Sequence, residues 1–309
     1  MAFKDKQRNE LHKQAKRFFS SHYFGLSKTK TKDSQLIHGR RTLTEQIRIV
    51  SKAAKDLNVK RLKQITPKMA QQYLGSCRNN GVSQKYLSSI QIALERVIFV
   101  NEHGKRLSRV EAIPKSETPL TDKDRAYTND QIHAVMAHLS PMAQLSTLIA
   151  FNGGLRVEEI LTLQRKDEAE ASKSREWDTR RFSGRVPGER YIVTGKNGLK
   201  REVMLDKQLA QTIESLRLDQ PKVIYDRNLP FEVKYDLLGG QKFSAAFSKA
   251  SYQALGWSHG AHGLRFSYAQ QRIDSELQGM TYVDAKLIVS QELGHFREEI
   301  TERYIEPYG

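Results

Sequence analysis

The sequence predicts a mainly α protein with a small β-hairpin or sheet, an α+β fold in two domains. Apolar residues recur at helical spacing in several segments that turn residues separate, a pattern typical of amphipathic helices. One segment, residues 191–205, instead contains two strand-like runs joined by a Gly-Lys-Asn-Gly turn. A basic stretch with Pro114 and Pro119 separates the first helices from the later ones, and 309 residues are enough for two domains.

Composition indicates a polyanionic partner. Lysine and arginine number 51 against 35 acidic residues, which gives a formal net charge of +16. Such an excess attracts nucleic acid, and a merely soluble basic protein is the alternative at this point. The single cysteine, Cys77, cannot form an internal disulfide, which suits a reducing cytosol, and we expect it to be a core residue. No apolar run has the length of a membrane span, so we expect a cytoplasmic protein without a membrane partner.

Residues 1–33 are predicted to form a basic N-terminal arm. Nine lysines and arginines stand there against three acids, with aromatic residues between them. Two interpretations stay open. The arm could follow a DNA backbone, or it could be a solvated tail whose aromatic residues cover the next domain. The aromatic residues are Phe18, Phe19, Tyr23 and Phe24.

Residues 34–110 are predicted to form a compact helical domain. An amphipathic face recurs over residues 43–57. A second helix, 66–80, begins with a threonine N-cap followed by proline at the first helical position. A third begins at Ser83, has apolar residues every three or four positions up to Ile98, and ends before Gly104. Residues 111–126 then form a predicted basic linker.

Residues 127–309 are predicted to form the second domain. Its first helix begins after the N-cap Thr128 and ends at Leu139, and Pro141 begins the next helix. The β-hairpin of residues 191–205 follows. We expect the rest of the domain to be helical.

Six residues of the second domain have chemistry in common. The planar fork of arginine matches two oxygens of a phosphate, histidine transfers protons near neutral pH, and a tyrosine oxygen can attack phosphorus. Short motifs such as His-x-x-Arg are weak alone in a basic chain, so the order and spacing carry the specificity. The second histidine of the set lies nine residues before the tyrosine. The six are Arg156, Lys196, His262, Arg265, His295 and Tyr304.

In this order and spacing the chain resembles the tyrosine recombinases, the phage-integrase family of site-specific DNA recombinases. The resemblance to the catalytic domain covers about residues 125–309. For residues 34–110 it rests only on the match to the family's small helical core-binding, SAM-like domain. The interval between Arg265 and His295, 30 residues, is longer than is usual for the family. We expect the extra residues, around 277–284, to form a loop or to lengthen a helix.

The resemblance implies that Tyr304 is the nucleophile and forms a 3′-phosphotyrosyl link. A free tyrosine has a pKa of about 10, so its phenolate costs about 4 kcal/mol at pH 7. By the resemblance, His262 accepts the proton, while Arg156 and Arg265 hold the non-bridging oxygens. Glu159 lies three residues after Arg156 and matches the acidic position that orients the first arginine.

The resemblance also assigns the leaving group. Lys196 matches the hairpin lysine that protonates the 5′-oxygen, and Lys200 at the far side of the same turn is its rival. His295 corresponds to the position that donates a hydrogen bond to the phosphate. The pair His259 and His262 lacks a third ligand at a plausible spacing, so we expect no metal. The family's chemistry implies no cofactor and no ATP.

The expected function is site-specific cleavage and rejoining of double-stranded DNA, in integration or excision of a mobile element. Its expected partners are DNA, three further copies of the chain in a homotetramer on paired sites, and accessory DNA-bending proteins. A type IB topoisomerase and a catalytically silent DNA-binding accessory protein are the alternatives. The long charged stretch 166–189 is a candidate DNA-contacting insertion. By the resemblance we expect a prokaryotic protein that lies at the nucleoid when it is bound to DNA.

Overall fold

The chain folds into two compact units, residues 1–121 and 122–309. The structure, a computed structural model, describes most of both units. The described residues are 2–25, 35–37, 39–101, 125–195, 198–227, 229–296, 301, 302 and 304.

The described part of the first unit is helical. Each of the three predicted helices is confirmed, with bounds that differ by a few residues. The Thr66 hydroxyl accepts a hydrogen bond from the backbone nitrogen of Met69 at 3.3 Å, the N-cap geometry that Thr-Pro predicts. The helices of this unit are α1 (Ala2–His22), α2 (Arg40–Asp56), α3 (Pro67–Asn79) and α4 (Gln84–Asn101).

Helix α1 changes the interpretation of the predicted arm. Four residues of one helical stripe, Leu11, Ala15, Phe19 and Tyr23, are buried in the same core as α2 and α4. Their spacing of four residues is what a helix needs to bury one face. Residues 2–22 are therefore a helix of the first unit rather than a separate arm. The basic residues at 28–32 and the linker at 111–124 lie outside the described residues.

The second unit combines helices with two small sheets. The hairpin prediction is confirmed, and α5 ends three residues before the predicted Leu139 because Ser140 begins the cap of the next helix. The elements in chain order are α5 (Asn129–Met136), α6 (Pro141–Asn152), β1 (Gln164–Arg165), β2 (Glu189–Thr194), β3 (Lys200–Leu205), α7 (Lys207–Ser215), β4 (Arg217–Asp226), β5 (Leu229–Tyr235), α8 (Gly240–Leu255), α9 (Gly263–Gln271) and α10 (Tyr282–Glu292).

The prediction that everything after the hairpin is helical was wrong for β4 and β5. These strands form a separate antiparallel ribbon, with Ile224 opposite Phe231. The strand signal is present in the sequence, because Phe231, Val233 and Tyr235 alternate with Glu232 and Lys234. Val233 and Tyr235 are buried, as that alternation requires.

The three-stranded sheet and the last helices form the framework for the candidate site. Strands β1, β2 and β3 are antiparallel in that order, and Val193 lies opposite Arg201. Helix α6 packs against β3 and α9, and α10 contacts β3. Between α9 and α10 a π-helical turn at Arg272–Glu276 continues α9. Of the residues expected to form a loop or to lengthen a helix, 277–281 form a loop and 282–284 begin α10. In the part of the chain that the structure describes, no helix is long and apolar enough to span a membrane.

Candidate active site

The first arginine of the site follows a tight turn. Helix α6 ends at Asn152 and is followed by Gly153-Gly154, where Gly154 has φ +59°. A Cβ on Gly154 would lie 2.6 Å from a ring carbon of Tyr268, so both the backbone conformation and the close ring require glycine. The turn directs the Arg156 guanidinium to the surface, where its side chain is 28% exposed.

Glu159 fixes Arg156 in place. It begins a short 3-10 turn at Glu159–Thr162, and three-residue spacing brings its carboxylate back onto Arg156. Glu159 Oε1 accepts a hydrogen bond from Arg156 Nη1 at 2.7 Å, and Oε2 accepts one from the Arg156 backbone nitrogen at 2.8 Å. The predicted contact between these two residues is confirmed. Their roles in catalysis stay predictions.

Sequence reasoning missed a third arginine, Arg201 of β3. Its side chain is buried, and its guanidinium donates to Glu159 Oε2 at 2.7 Å, to the Glu292 carbonyl at 2.6 Å and to the Gly154 carbonyl at 3.3 Å. The available signal was strand parity. Arg201 lies two residues before the buried Val203, and alternate residues of a strand share a face, so this position predicts a buried side chain. In the sequence alone, Arg201 resembles one more basic residue after the hairpin turn.

Arg265 is completely buried at the start of α9. Its Nη1 donates to the Gly154 carbonyl, and its Nη2 donates both to the Leu293 carbonyl and to His295 Nε2, the latter at 3.1 Å. Glu159 Oε2 lies 3.9 Å from Nη1. Of the Arg265 nitrogens, Nε has no partner among the described residues. Position 263, two residues earlier, requires glycine, because a Cβ there would lie 2.4 Å from a carbon of the Tyr127 ring.

Glu159 and Arg265 perturb each other's proton affinity. Burial alone would raise the pKa of Glu159, but Arg201, Arg265 and Arg156 together hold it well below its ordinary value. Burial, followed by repulsion from Arg156, lowers the pKa of Arg265 to about 9, which keeps this guanidinium charged at neutral pH. Three guanidinium groups therefore surround one carboxylate, and the cluster carries a net positive charge.

His295 lies in the turn after α10 and contacts Arg265. Because arginine can only donate, His295 Nε2 is the acceptor and the ring proton is on Nδ1. Burial, then the charges of Arg265 and Arg156, lower the pKa of His295 to about 2. The ring is neutral at pH 7 and has a donor available at Nδ1.

A buried ion pair holds the end of α10. The carboxylate of Glu292 accepts from Arg272 Nη2 at 2.8 Å, from Arg272 Nε at 2.9 Å and from the Tyr268 hydroxyl at 2.8 Å. Sequence reasoning did not identify this network, which precedes the Leu-Gly-His motif directly. It fixes the backbone whose carbonyls receive Arg201 and Arg265.

The histidine at the start of α9 contacts the tyrosine. His262 Nε2 lies 3.1 Å from the Tyr304 hydroxyl. Burial, then the charges of Arg265 and Arg156, lower the pKa of His262 to about 4, so its ring is neutral at pH 7 and can accept a proton. Tyr304 is 8% exposed.

Tyr304 is held from several sides. Its ring stacks on Phe266 with 4.2 Å between the ring centroids, and the His295 ring is 5.0 Å away. The guanidinium carbon of Arg265 lies 5.9 Å from the ring centroid. Glu302, two residues before Tyr304, accepts a hydrogen bond from Lys286 of α10 at 2.9 Å. The structure thus brings together five of the six predicted residues with Glu159.

The sixth predicted residue, Lys196, lies outside the described residues. The strand end before it is close to the site, because a Cβ on Gly195 would lie 2.8 Å from Glu159 Oε1 and 3.6 Å from Arg156 Nη1. Its rival Lys200 begins β3, opposite Thr194, with an exposed side chain. Among the described residues, no three His, Cys, Asp or Glu side chains are grouped to hold a metal ion.

The fold is similar to those of solved integrases and recombinases. Lambda integrase, solved as a dimer bound to a COC′ core site, matches with a TM-score of 0.59 at 16% identity, over 96% of this chain and 77% of that one. The XerH site-specific recombinase bound to a palindromic difH substrate matches with a TM-score of 0.54 at 17% identity, over 99% of this chain and 94% of that one. The Tn1549 transposon integrase, in complex with circular intermediate DNA, matches at 0.53 and 11%, over 96% of each chain.

The sequence matches no protein-family model and no curated protein. The structural similarities define the fold class, and the α+β prediction is confirmed. The chain has the fold of the tyrosine recombinases.

Proposed function

We propose that this chain is a site-specific DNA recombinase that cleaves one strand of DNA through a 3′-phosphotyrosyl intermediate and rejoins it to another strand. One observation carries the proposal: the Tyr304 hydroxyl lies 3.1 Å from His262 Nε2, beside a cluster of three arginines with one carboxylate. A nucleophile within reach of a neutral base, next to an excess of positive charge, fits attack on an anionic phosphodiester.

The first step uses both partners of that hydrogen bond. Tyr304 gives its proton to His262, and the phenolate oxygen forms a bond to phosphorus while the bond from phosphorus to the 5′-oxygen breaks. The phosphotyrosyl ester keeps the energy of the broken phosphodiester. A 5′-hydroxyl of a second strand then reverses the step, so the cycle needs neither ATP nor a metal ion.

The arginines supply the electrostatic part of the reaction. The Arg156 side chain is 28% exposed and is oriented by Glu159, so it is the group best able to contact a phosphate oxygen. His295 can donate from Nδ1, the ring nitrogen without a partner among the described residues. We assign Arg265 to the same phosphate. Its burial at 0% exposure implies that it acts mainly through its charge.

The leaving 5′-oxygen needs a proton, and we assign this step to a hairpin lysine. Lys196 is the preferred residue because it follows Gly195, which borders the Arg156 and Glu159 pair. Lys200 is the alternative. A lysine ammonium is a mobile single-point donor, which suits a group that must reach a breaking bond.

The proposed partners are duplex DNA and further copies of this chain. The net charge of +16 supports attraction to DNA. The solved relatives include lambda integrase as a tetramer bound to a Holliday junction. By analogy, we propose four copies on two paired sites, in the service of a mobile element, with accessory DNA-bending proteins as further candidates.

Tyr304→Phe tests the chemistry, and Tyr308→Phe is its matched control four residues away. The substrate is a duplex from the DNA that flanks the gene, with a site mapped by footprinting and a nick that lets a short fragment leave. We expect the wild type and Tyr308→Phe to form a covalent adduct on a denaturing gel. Tyr304→Phe should bind the duplex equally and form none. An adduct that persists in Tyr304→Phe contradicts the assignment.

A type IB topoisomerase is the second candidate, because it would use the same set of residues. Relaxation of supercoiled plasmid that lacks the mapped site separates the two. A recombinase is expected to act only on plasmid with the site, whereas a topoisomerase relaxes both. A silent accessory protein would bind DNA and form no adduct in the wild type.

A further inference from the structure

The segment of residues 172–185, between β1 and β2, has no regular secondary structure, yet it is packed against the candidate site. Strands that neighbour each other in an antiparallel sheet need only a short turn, and long irregular loops are usually functional. The segment begins beside the hairpin, where Ser172 and Lys200 exchange hydrogen bonds of 2.9 and 3.0 Å. It then crosses to the end of α10.

Backbone contacts attach the segment to the residues just before His295. The Asp178 nitrogen donates to the side chain of Gln291 at 2.7 Å, and the Phe182 nitrogen donates to the Glu292 carboxylate at 2.7 Å. Gln291 and Glu292 are both buried, so these bonds are shielded from water. The segment therefore contacts α10 one turn or less before the catalytic histidine.

An aromatic contact attaches the segment to the residue just after His295. Trp177 meets Phe296 edge-to-face with 4.8 Å between ring centroids, and Arg181 covers Trp177 at 4.6 Å. Phe296 has φ +55°, a left-handed conformation that a residue with a Cβ keeps only when its surroundings hold it. Trp177 contacts Phe296 in this conformation, and the guanidinium carbon of Arg175, from the same segment, lies 5.1 Å from the Phe296 ring centroid.

The His295 ring has few restraints of its own. Its Nε2 accepts from Arg265, and its Nδ1 has no partner among the described residues. The Tyr304 ring is a further contact at 5.0 Å, and the backbone on either side of His295 contributes the remaining control of the ring orientation. We propose that residues 172–185 are a positioning element for His295, and that Trp177 is a positioning residue that acts through Phe296. The proposal rests on the proposed function and adds a role to a stretch that reads in the sequence as a candidate DNA contact.

The test compares Trp177→Ala with Trp177→Phe, which keeps a ring, and with Leu139→Ala, which removes packing at the partly buried Leu139 of the same unit. At saturating DNA, we expect adduct formation in Trp177→Ala to slow by about tenfold to a hundredfold, since small displacements of a reacting group have effects of this size. DNA affinity should change less than about twofold, and the two controls should stay near the wild-type rate. Trp177→Leu replaces Trp177→Ala if the latter does not fold.

A double variant separates positioning from general destabilisation. If Trp177 acts through His295, Trp177→Ala combined with His295→Ala is no slower than His295→Ala alone. Three results would each overturn the proposal. They are rate losses of the two single variants that multiply in the double variant, a wild-type rate in Trp177→Ala, and a loss in Trp177→Ala that is confined to DNA affinity.

A measurement without activity keeps this inference distinct from the proposed function. In nitrogen NMR of the imidazole rings, we expect wild-type His295 to carry its proton on Nδ1 alone, and Trp177→Ala to show a tautomer mixture. If Trp177→Ala shows this tautomer change but the wild-type protein forms no adduct, the positioning role is retained and the recombinase function is rejected. An unchanged His295 tautomer together with an unchanged rate rejects the positioning role alone.

Discussion

Glu159→Gln removes one charge from the centre of the site without changing its shape. The carboxylate is 2% exposed and accepts hydrogen bonds from Arg156 Nη1, from the Arg156 backbone nitrogen and from Arg201 Nη2, all at 2.7 or 2.8 Å. An amide has one oxygen and one donor group in place of two oxygens. At least one arginine nitrogen would therefore face another donor, and the positive cluster would lose the one carboxylate that lies within 4 Å of it among the described residues.

The expected loss follows from burial. Charge-assisted hydrogen bonds contribute about 1.5–3 kcal/mol each, and removal of one partner from a buried ion pair costs about 3–5 kcal/mol. We expect Glu159→Gln to lower the free energy of unfolding by about 3–5 kcal/mol. Glu158→Gln is the matched control. Its side chain is 46% exposed and has one surface ion pair with Arg227, so its cost should stay below about 1 kcal/mol.

Urea unfolding followed by tryptophan fluorescence measures the difference, because Trp177 and Trp257 both lie in the second unit. The low pKa of Glu159 makes its contribution complete above the unfolded value of about 4.3, and the contribution is lost as pH falls toward the folded value. The difference in unfolding free energy between the wild type and Glu159→Gln should be constant from pH 5 to 8 and should shrink below pH 4. A gap at pH 7 no larger than that of Glu158→Gln would refute the electrostatic account.

Three further predictions concern the turn at Gly154, the proposed base His262 and the proposed acid Lys196. Gly154→Ala should cost about 2–4 kcal/mol of unfolding free energy, because it adds a clash to a left-handed residue, whereas Gly198→Ala, with φ +78° and open space, should cost about 1–2 kcal/mol in the same urea titration. His262 has its pKa lowered from 6.5 to about 4, so the folded state should lose up to about 3 kcal/mol as pH falls from 6.5 to 4, and His262→Gln should remove that part of the pH slope. Lys196→Ala should slow strand cleavage about 10²–10⁴-fold, and the cleavage rate should recover on a substrate with sulfur at the 5′-bridging position, because a thiolate leaves without a proton. If Lys200→Ala shows this loss and recovery instead, the assignment of the acid is reversed.

The sequence predicts the local features of this site well because those features depend on neighbours along the chain. The contact between Arg156 and Glu159 needs only three-residue spacing, and the hairpin needs only two strand-like runs and a turn. Helix starts at Thr66 and Thr128 likewise follow from the capping residue. These were the reliable predictions.

The remaining features depend on which distant residues meet. Arg201 and Arg272 are charged side chains, which are almost never fully buried without partners, and their partners lie 42 and 20 residues away. No local pattern encodes such a pairing. Two other features missed from the sequence did have a local pattern: the ribbon of β4 and β5 and the buried stripe of α1. Their apolar residues recur at strand or helix spacing, but many charged residues lie between them.

The structure also separates two arginines that the resemblance treats alike. Arg265 satisfies the carbonyls of Gly154 and Leu293 and is covered on every side, whereas Arg156 has Glu159 as its side-chain partner and remains 28% exposed. A guanidinium that already bonds two carbonyls cannot reorganise cheaply toward an incoming phosphate, but its charge acts at short range in a medium that excludes water. Backbone carbonyls at the end of α10 orient Arg201 and Arg265 without cancelling their charge. On the proposed function, the net positive charge of the cluster attracts the phosphate, and we expect Arg156, the more exposed of these two arginines, to contact it first.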